Sequence, residues 1–281
     1  MPRPIKLALI QQSASEDRSA NLQLGLDATR RAAAQGANVI CFAELAFEPF
    51  YPQQHAADGF ESLAEPIPGP ISDSFAQLAQ ELGVVIAINL FERFETESGI
   101  QTFDSSPVFD ADGTMLGVTR MIHITDYECF HEKGYYVPGD QGAPVYATAF
   151  GKIGVAICYD RHYPEYMRAM AIGGAEIVIV PQAGSVGEWP DGLYEAELRV
   201  AAFQNGYFTA LCNRVGAEPK LTFAGESFVC DPEGNVIARA GQGTNEILLC
   251  DIDLDAIAKS HAKQLFLKDR RPDLYRDWIG D

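Results

Sequence analysis

Hydrophobic and polar positions alternate along this chain in blocks that predict strands and helices in turn. Continuous apolar runs read as strands at Ile5–Gln11, Asn38–Ala43, Val84–Phe91, Glu176–Pro181, Tyr207–Asn213 and Glu246–Ile252. Longer segments with helical spacing read as helices at Asn21–Gln35, Ser72–Glu81, Tyr163–Ile172 and Leu193–Asn205. Three hairpins interrupt the alternation. They lie around Asp112-Gly113, around Gly151 between Val145–Thr148 and Lys152–Ile157, and across Asp231-Pro-Glu-Gly234 between Ser227–Cys230 and Val236–Arg239. The segment from Leu45 to Pro70 is irregular and rich in Pro, Gly and aromatics, as a site wall or a variable surface excursion would be. Alternating strands and helices with hairpins between them suit an α/β fold with two packed sheets flanked by helices.

Candidate chemistry gathers at strand ends. Cys158 closes the apolar run from Lys152 and is followed by Tyr159-Asp-Arg161 and then Pro164-Glu165, which opens a helix. A thiol at a strand–turn–helix junction lies near a helix N-terminus. That setting should lower its pKa, and the free N–H groups there, Tyr159 among them, could hold an oxyanion. The same residue also reads as a small core hydrophobe. Glu44 ends another apolar run, where open α/β sheets place their sites. Glu132 lies in a turn-rich stretch and reads equally as a surface loop charge. Arg161 could fork a substrate carboxylate or pair with Glu165. Gln182 and Trp189 follow a strand end on what reads as a site loop, with Trp189 either stacking on substrate or packing ordinarily.

The quoted pieces Phe42-Ala-Glu44-Leu, His123-Ile, Phe130-His-Glu132 with Tyr135-Tyr-Val-Pro-Gly139, Ile157-Cys158-Tyr-Asp-Arg161-His-Tyr-Pro-Glu165 and Phe223-Ala-Gly-Glu-Ser227 together resemble the nitrilase superfamily of carbon–nitrogen hydrolases. The resemblance runs from Ile5 to about Asp253. The stretch around Cys158 is most similar to the branch that hydrolyses N-carbamoyl amines, such as β-ureidopropionase. It implies a four-layer α-β-β-α sandwich, doubled by a dimer contact. It also implies a Glu–Lys–Cys triad, with Glu44 as general base, Cys158 as nucleophile and Glu132 as auxiliary acid. The lysine of that pattern falls on Met121 here, between Arg120 and Ile122. Met has neither charge nor N–H, and loss of one oxyanion donor typically costs about two to three orders of magnitude in rate.

Three readings follow from that departure. The chain is active with another donor, it binds without turnover, or Met121 was introduced to trap a substrate. The functions in view are a thiol hydrolase of amide or N-carbamoyl C–N bonds, a non-catalytic small-molecule-binding or scaffold protein of the same fold, and a nitrilase.

Composition narrows the partners. With 281 residues and 47% hydrophobic positions the chain can bury one large domain, read as 1–253 with a helix and arm at 254–281. The arm carries Phe266, Tyr275 and Trp278 and is expected to dock on a partner subunit, in a homodimer or higher homo-oligomer. A formal net charge of −18 argues against nucleic acid and anionic membranes as partners. The expected partner is instead a small amide or ureido substrate. Six cysteines without a CxxC pair, and histidines without ligand spacing, suggest reduced thiols, no metal and no cofactor. The N-terminal stretch lacks a signal-peptide pattern and no apolar run reaches spanning length, so a cytoplasmic protein is expected.

Overall fold

A computed structural model describes residues 3–279, without the side chains of Arg276, Trp278 and Ile279. The first half supplies strands β1 (Pro4–Gln11), β2 (Val39–Phe42), β3 (Val85–Ala87), β4 (Leu90–Thr96), β5 (Gly99–Phe109) and β6 (Met115–Arg120). The second supplies β7 (Val145–Thr148), β8 (Gly151–Val155), β9 (Ile177–Gln182) and β10 (Phe208–Asn213). After a small ribbon of β11 (Val215–Ala217) and β12 (Thr222–Ala224) come β13 (Phe228–Cys230) and β14 (Val236–Arg239). β15 (Glu246–Asp253) returns to the first sheet, pairing antiparallel with β1. One sheet runs β15-β1-β2-β3-β5-β4 with β6 on β5, and the other β14-β13-β10-β9-β8-β7.

The continuous apolar runs are explained by burial on both faces. In β1, Leu7 and Leu9 point to the core between the sheets, whereas Ala8 and Ile10 meet the outer helices. In β9, Ile177 and Ile179 point inward and Val178 and Val180 outward. Helices α1 (Arg18–Ala34) and α2 (Pro70–Leu82) cover the first sheet, with Ala28, Ala32, Phe75 and Leu78 in that layer. Helices α3 (Pro164–Ile172) and α4 (Leu193–Asn205) cover the second through Met167, Met170 and Leu198. The result is the expected four-layer α-β-β-α sandwich. Asp17 caps α1 through the Ala20 N–H, an arrangement worth about 1 kcal/mol. Gly25 lets α1 approach the sheet closely, because a Cβ there would come within 2.6 Å of the Phe47 ring.

The single strand expected over Val84–Phe91 is two strands. The chain breaks at Ile88-Asn89, where the Asn89 side chain takes the Leu45 N–H at 2.8 Å and donates to Asp104 and Ser106. β5 is an eleven-residue strand that the sequence pattern does not announce.

At the C-terminal end, Leu254 and Ile257 belong to the central core, so that core continues past residue 253. Helix α5 (Ala256–Lys259) leads into a π-helical turn at Ala262–Phe266 that lies against α4, where Phe266 meets Phe203 edge-on. The chain ends in α6 (Pro272–Ile279). The Trp278 side chain, named with the arm, lies outside the described residues. Among the described residues no helix is long and apolar enough to cross a membrane.

Candidate active site

β1, β2 and β3 run parallel, as do β8, β9 and β10. The C-terminal ends of both parallel sets meet at one edge of the sandwich. Glu44 lies two residues beyond β2, Cys158 three beyond β8, and Gln182 ends β9. The backbone is forced at two of these ends, with φ of +46° at Leu45 and +41° at Cys158. Non-glycine residues in the left-handed region cost on the order of 1–3 kcal/mol and persist where surroundings over-determine them. Here Asn89 fixes Leu45, and the Arg161 guanidinium fixes the Cys158 carbonyl at 2.8 Å.

The candidate donor atoms of Glu44, Glu132 and Cys158 all lie within 4.8 Å of one another. All three residues are buried, and Cys158 keeps 5% of its surface open. Glu132 stands in a 3-10 turn at Glu132–Gly134 and is a buried carboxyl, not a surface loop charge. One of its oxygens accepts from the Thr125 N–H at 3.3 Å. A thiolate and two carboxylates at this spacing could also grip a divalent cation.

Asp104 on β5 completes the group. It is fully buried, its Oδ1 accepts from Asn89 at 2.5 Å, and its carboxyl neighbours that of Glu44. Among the described residues, both Glu44 oxygens, Glu132 Oε1 and Asp104 Oδ2 receive no donor from outside this group, within which Glu44 is hydrogen-bonded to Asp104 and to Cys158.

Burial first, and then repulsion from Glu132, raises Glu44 to about 8. Glu132 is held well above the usual carboxylate range by burial and by Asp104, and Asp104 likewise by burial and by Glu44. The expectation of a thiol with lowered pKa is corrected. Burial, followed by the negative fields of Glu44 and Glu132, pushes Cys158 well above its ordinary value. The five-residue 3-10 turn at Cys158–His162, which precedes α3, does not offset these terms.

The remaining sequence candidates divide. Gln182 is buried beside the sulfur and donates Nε2–H to Cys158 Sγ at 3.2 Å. Tyr159 takes the second position of the 3-10 turn, where the first N–H groups have no partner inside the turn. Arg161 neither pairs with Glu165 nor faces open space. Its donors go to the Cys158 carbonyl and Gln182 Oε1, it pairs with Glu197 at 3.2 Å, and it lies over the Tyr194 ring. Glu165, taken with Arg161 as a substrate-side candidate from its place just past Cys158, is exposed on the first turn of α3. Trp189 meets Tyr127 and His162 edge-on in an aromatic wall. Met121 is fully buried in the core cluster that contains Cys158, with its N–H on the Asp104 carbonyl.

Four residues escaped the sequence reading. Asn89 and Asp104 are one pair. Glu188 accepts from the hydroxyls of Tyr127 and Tyr194. Arg214 is buried with its guanidinium on the carbonyls of Glu44, Leu45 and Glu48 and on Glu218.

The arrangement matches known proteins. Residues 6–262 match the carbon-nitrogen hydrolase family. The chain is 37% identical to the N-carbamoylputrescine amidase of Solanum lycopersicum, over 98% of this chain and 94% of that protein. It is 31% identical to the citrullinase of Francisella tularensis, over 98% of each. A carbon-nitrogen hydrolase from Helicobacter pylori G27 superposes with a TM-score of 0.90 at 31% identity, over 98% of both chains. An amidase from Nesterenkonia sp. AN1, crystallised with the acetamide moiety of fluoroacetamide added covalently at its active-site cysteine, superposes at 0.81 with 28% identity, over 98% of this chain and 96% of that one. With Glu44, Glu132 and Cys158 gathered at the sheet ends, this chain belongs to the carbon–nitrogen hydrolase family of the nitrilase superfamily and is a hydrolase of carbon–nitrogen bonds.

Proposed function

We propose that Cys158 is the nucleophile of a small-molecule hydrolase, with Glu44 as general base and Glu132 as a second acid–base group. The observation that carries this reading is the convergence of the three donor atoms within 4.8 Å. In the reactive form Glu44 is ionised and Cys158 holds its proton. As the sulfur attacks, the proton passes to Glu44, which then returns it to the departing nitrogen. A water deprotonated by Glu44 next releases the acyl or carbamoyl group from sulfur. Gln182 steadies the sulfur, and the Tyr159 N–H is offered to the substrate heteroatom.

Substrates of amide or N-carbamoyl type are supported by the names of the relatives, which include N-carbamoylputrescine amidase and β-ureidopropionase. The reading also keeps a cytoplasmic protein with six unpaired thiols. It forms a homo-oligomer that uses the exposed Ile172 and Val200 on the outer layer, and part of the arm beyond Leu267.

Met121 favours the second reading, a binding protein without turnover. Ammonia release across a panel of amides, ureides and nitriles, with intact-mass detection of a Cys158 adduct, separates the two. A Cys158-dependent product supports the hydrolase. Saturable binding with neither adduct nor ammonia supports the binder.

A further inference from the structure

Three carboxyls, Glu44, Glu132 and Asp104, and one thiol enclose the reacting position. Four of their oxygens take no hydrogen bond from a described residue outside this group, while inside it Glu44 is hydrogen-bonded to Asp104 and to Cys158. Among the described residues no basic side chain donates to them. The position next to Arg120 is the apolar Met121. The two nearest buried guanidiniums are committed elsewhere, Arg161 to the Cys158 carbonyl, Gln182 and Glu197, and Arg214 to main-chain carbonyls and Glu218. The site therefore packs three carboxyls together with no basic side chain among them, and burial and mutual repulsion hold them protonated in the free protein.

A neutral amide or ureide, the substrate type of the relatives, brings no charge to this arrangement. Attack by sulfur places a negative oxygen beside three carboxyls without the cation that would offset it. An amidinium or guanidinium carbon fits. It brings the charge and several N–H donors that the unpartnered oxygens can accept, in the planar geometry suited to carboxylates. Attack on it forms no oxyanion.

We propose that this chain hydrolyses a small amidine or guanidine, in its cationic form, to the corresponding amide or ureide and ammonia. The inference rests on Cys158 being the nucleophile. Sulfur adds to the amidinium or guanidinium carbon, its proton having gone to Glu44, and the cation becomes a neutral tetrahedral adduct with two or three amino groups. Glu44 returns the proton to one nitrogen, the C–N bond breaks and ammonia leaves, giving a cationic thioimidate or isothiouronium on sulfur. Water, losing a proton to Glu44, adds to that carbon. The hydroxyl proton then passes to sulfur as the C=O bond forms and the C–S bond breaks, and Glu44 gives up its proton, which the released ammonia takes, so that one water is consumed and one amide or ureide and one ammonium are formed.

The test pairs isosteric probes on the wild-type protein, acetamidine against acetamide and propylguanidine against propylurea. It reads ammonia release, accumulation of the neutral product and the mass of the Cys158 adduct. The expected result is kcat/KM at least tenfold higher for each cation than for its neutral partner, with the amide or ureide accumulating. Met121→Lys, checked for an intact fold by near-UV circular dichroism, should reverse that order. Equal or faster turnover of the neutral partners by the wild type overturns the substrate assignment and leaves the thiol hydrolase standing. Neither turnover nor a Cys158 adduct with any of the four overturns both.

Discussion

The side-chain amide of Gln182 donates to the sulfur of Cys158 across 3.2 Å, while its carbonyl oxygen accepts from Arg161 at 2.7 Å. The sulfur is thus oriented by an amide that is itself held by a buried guanidinium. Gln182→Leu keeps the volume and removes both bonds. It should lower kcat by about 10- to 100-fold, in line with loss of one preorganised donor. It should also cost about 1–3 kcal/mol of stability, because an Arg161 N–H is orphaned. Steady-state kinetics alongside urea melts would show both. Unchanged kcat would reduce Gln182 to a packing residue.

Glu44 must be ionised to take the thiol proton, and burial with Glu132 repulsion holds it protonated up to about 8. The kcat/KM of the free enzyme should therefore rise through about pH 8. A cationic substrate favours the carboxylate and draws that value down in the complex, so the corresponding limb of kcat should lie at lower pH. A neutral substrate gives no such separation. Full pH profiles with acetamidine and acetamide provide the comparison, and a flat kcat/KM between pH 6 and 9 would remove Glu44 as the base.

The same carboxyl makes stability fall with pH. In the unfolded chain Glu44 loses its proton near the ordinary value of about 4.3, and in the folded protein near 8. Between these limits the folded state holds the extra proton, so stability declines as pH rises and levels off above the folded value. The ceiling is a few kcal/mol, at about 1.4 kcal/mol per pH unit and reduced by local relaxation. Glu44→Gln removes this titration. Its gain over the wild type should be roughly 1–3 kcal/mol larger at pH 8 than at pH 5, with activity lost. Urea melts at the two pH values test it.

Cys158 itself should alkylate slowly at neutral pH. The residue is 5% exposed and its thiol is held protonated by burial and the surrounding carboxyls, whereas Cys129 is only half-buried. Peptide mapping after brief iodoacetamide treatment should find Cys129 modified first at pH 7, with Cys158 gaining as pH rises. Prior labelling of Cys158 at pH 7 would mean a thiolate that this environment does not support.

Sequence patterning carried the sandwich because strands buried on both faces leave unmistakable apolar runs, as in β1 and β9. It carried Glu44 and Cys158 because each closes such a run. It could not carry Asp104. β5 reads Gly-Ile-Gln-Thr-Phe-Asp-Ser-Ser-Pro-Val-Phe, whose polar centre looks like loop, yet Asp104, Ser105 and Ser106 are buried because Asn89, Glu92 and the strand ladder satisfy them. The thiol's pKa was misread for a related reason. Helix-end electrostatics can be inferred locally, but the fields of Glu44 and Glu132 arrive from β2 and a distant turn. Glu165 lies on the outer surface because the 3-10 turn before α3 separates it from the thiol.

Arg214 had no sequence signal, and the clearest structural consequence attaches to it. Its guanidinium ties the carbonyls of Glu44, Leu45 and Glu48 to Glu218 of the ribbon β11–β12 segment, and it lies over the Phe223 ring. Arg214→Met would fill the space but remove a donor from three carbonyls and from one Glu218 oxygen, the other Glu218 oxygen keeping Phe50 and Gln53. Breaking one partner of a buried pair typically costs about 3–5 kcal/mol, and here the loss falls on the segment that sets the position of Glu44. Arg214→Lys restores the charge but lacks the planar fork needed to reach several carbonyls at once. Both variants should therefore melt at clearly lower temperature, with kcat reduced more than KM is raised because Glu44 is displaced from the sulfur. A lysine variant with wild-type kcat would show that charge alone holds this segment, and the multidentate bracing of Glu44 would have to be abandoned.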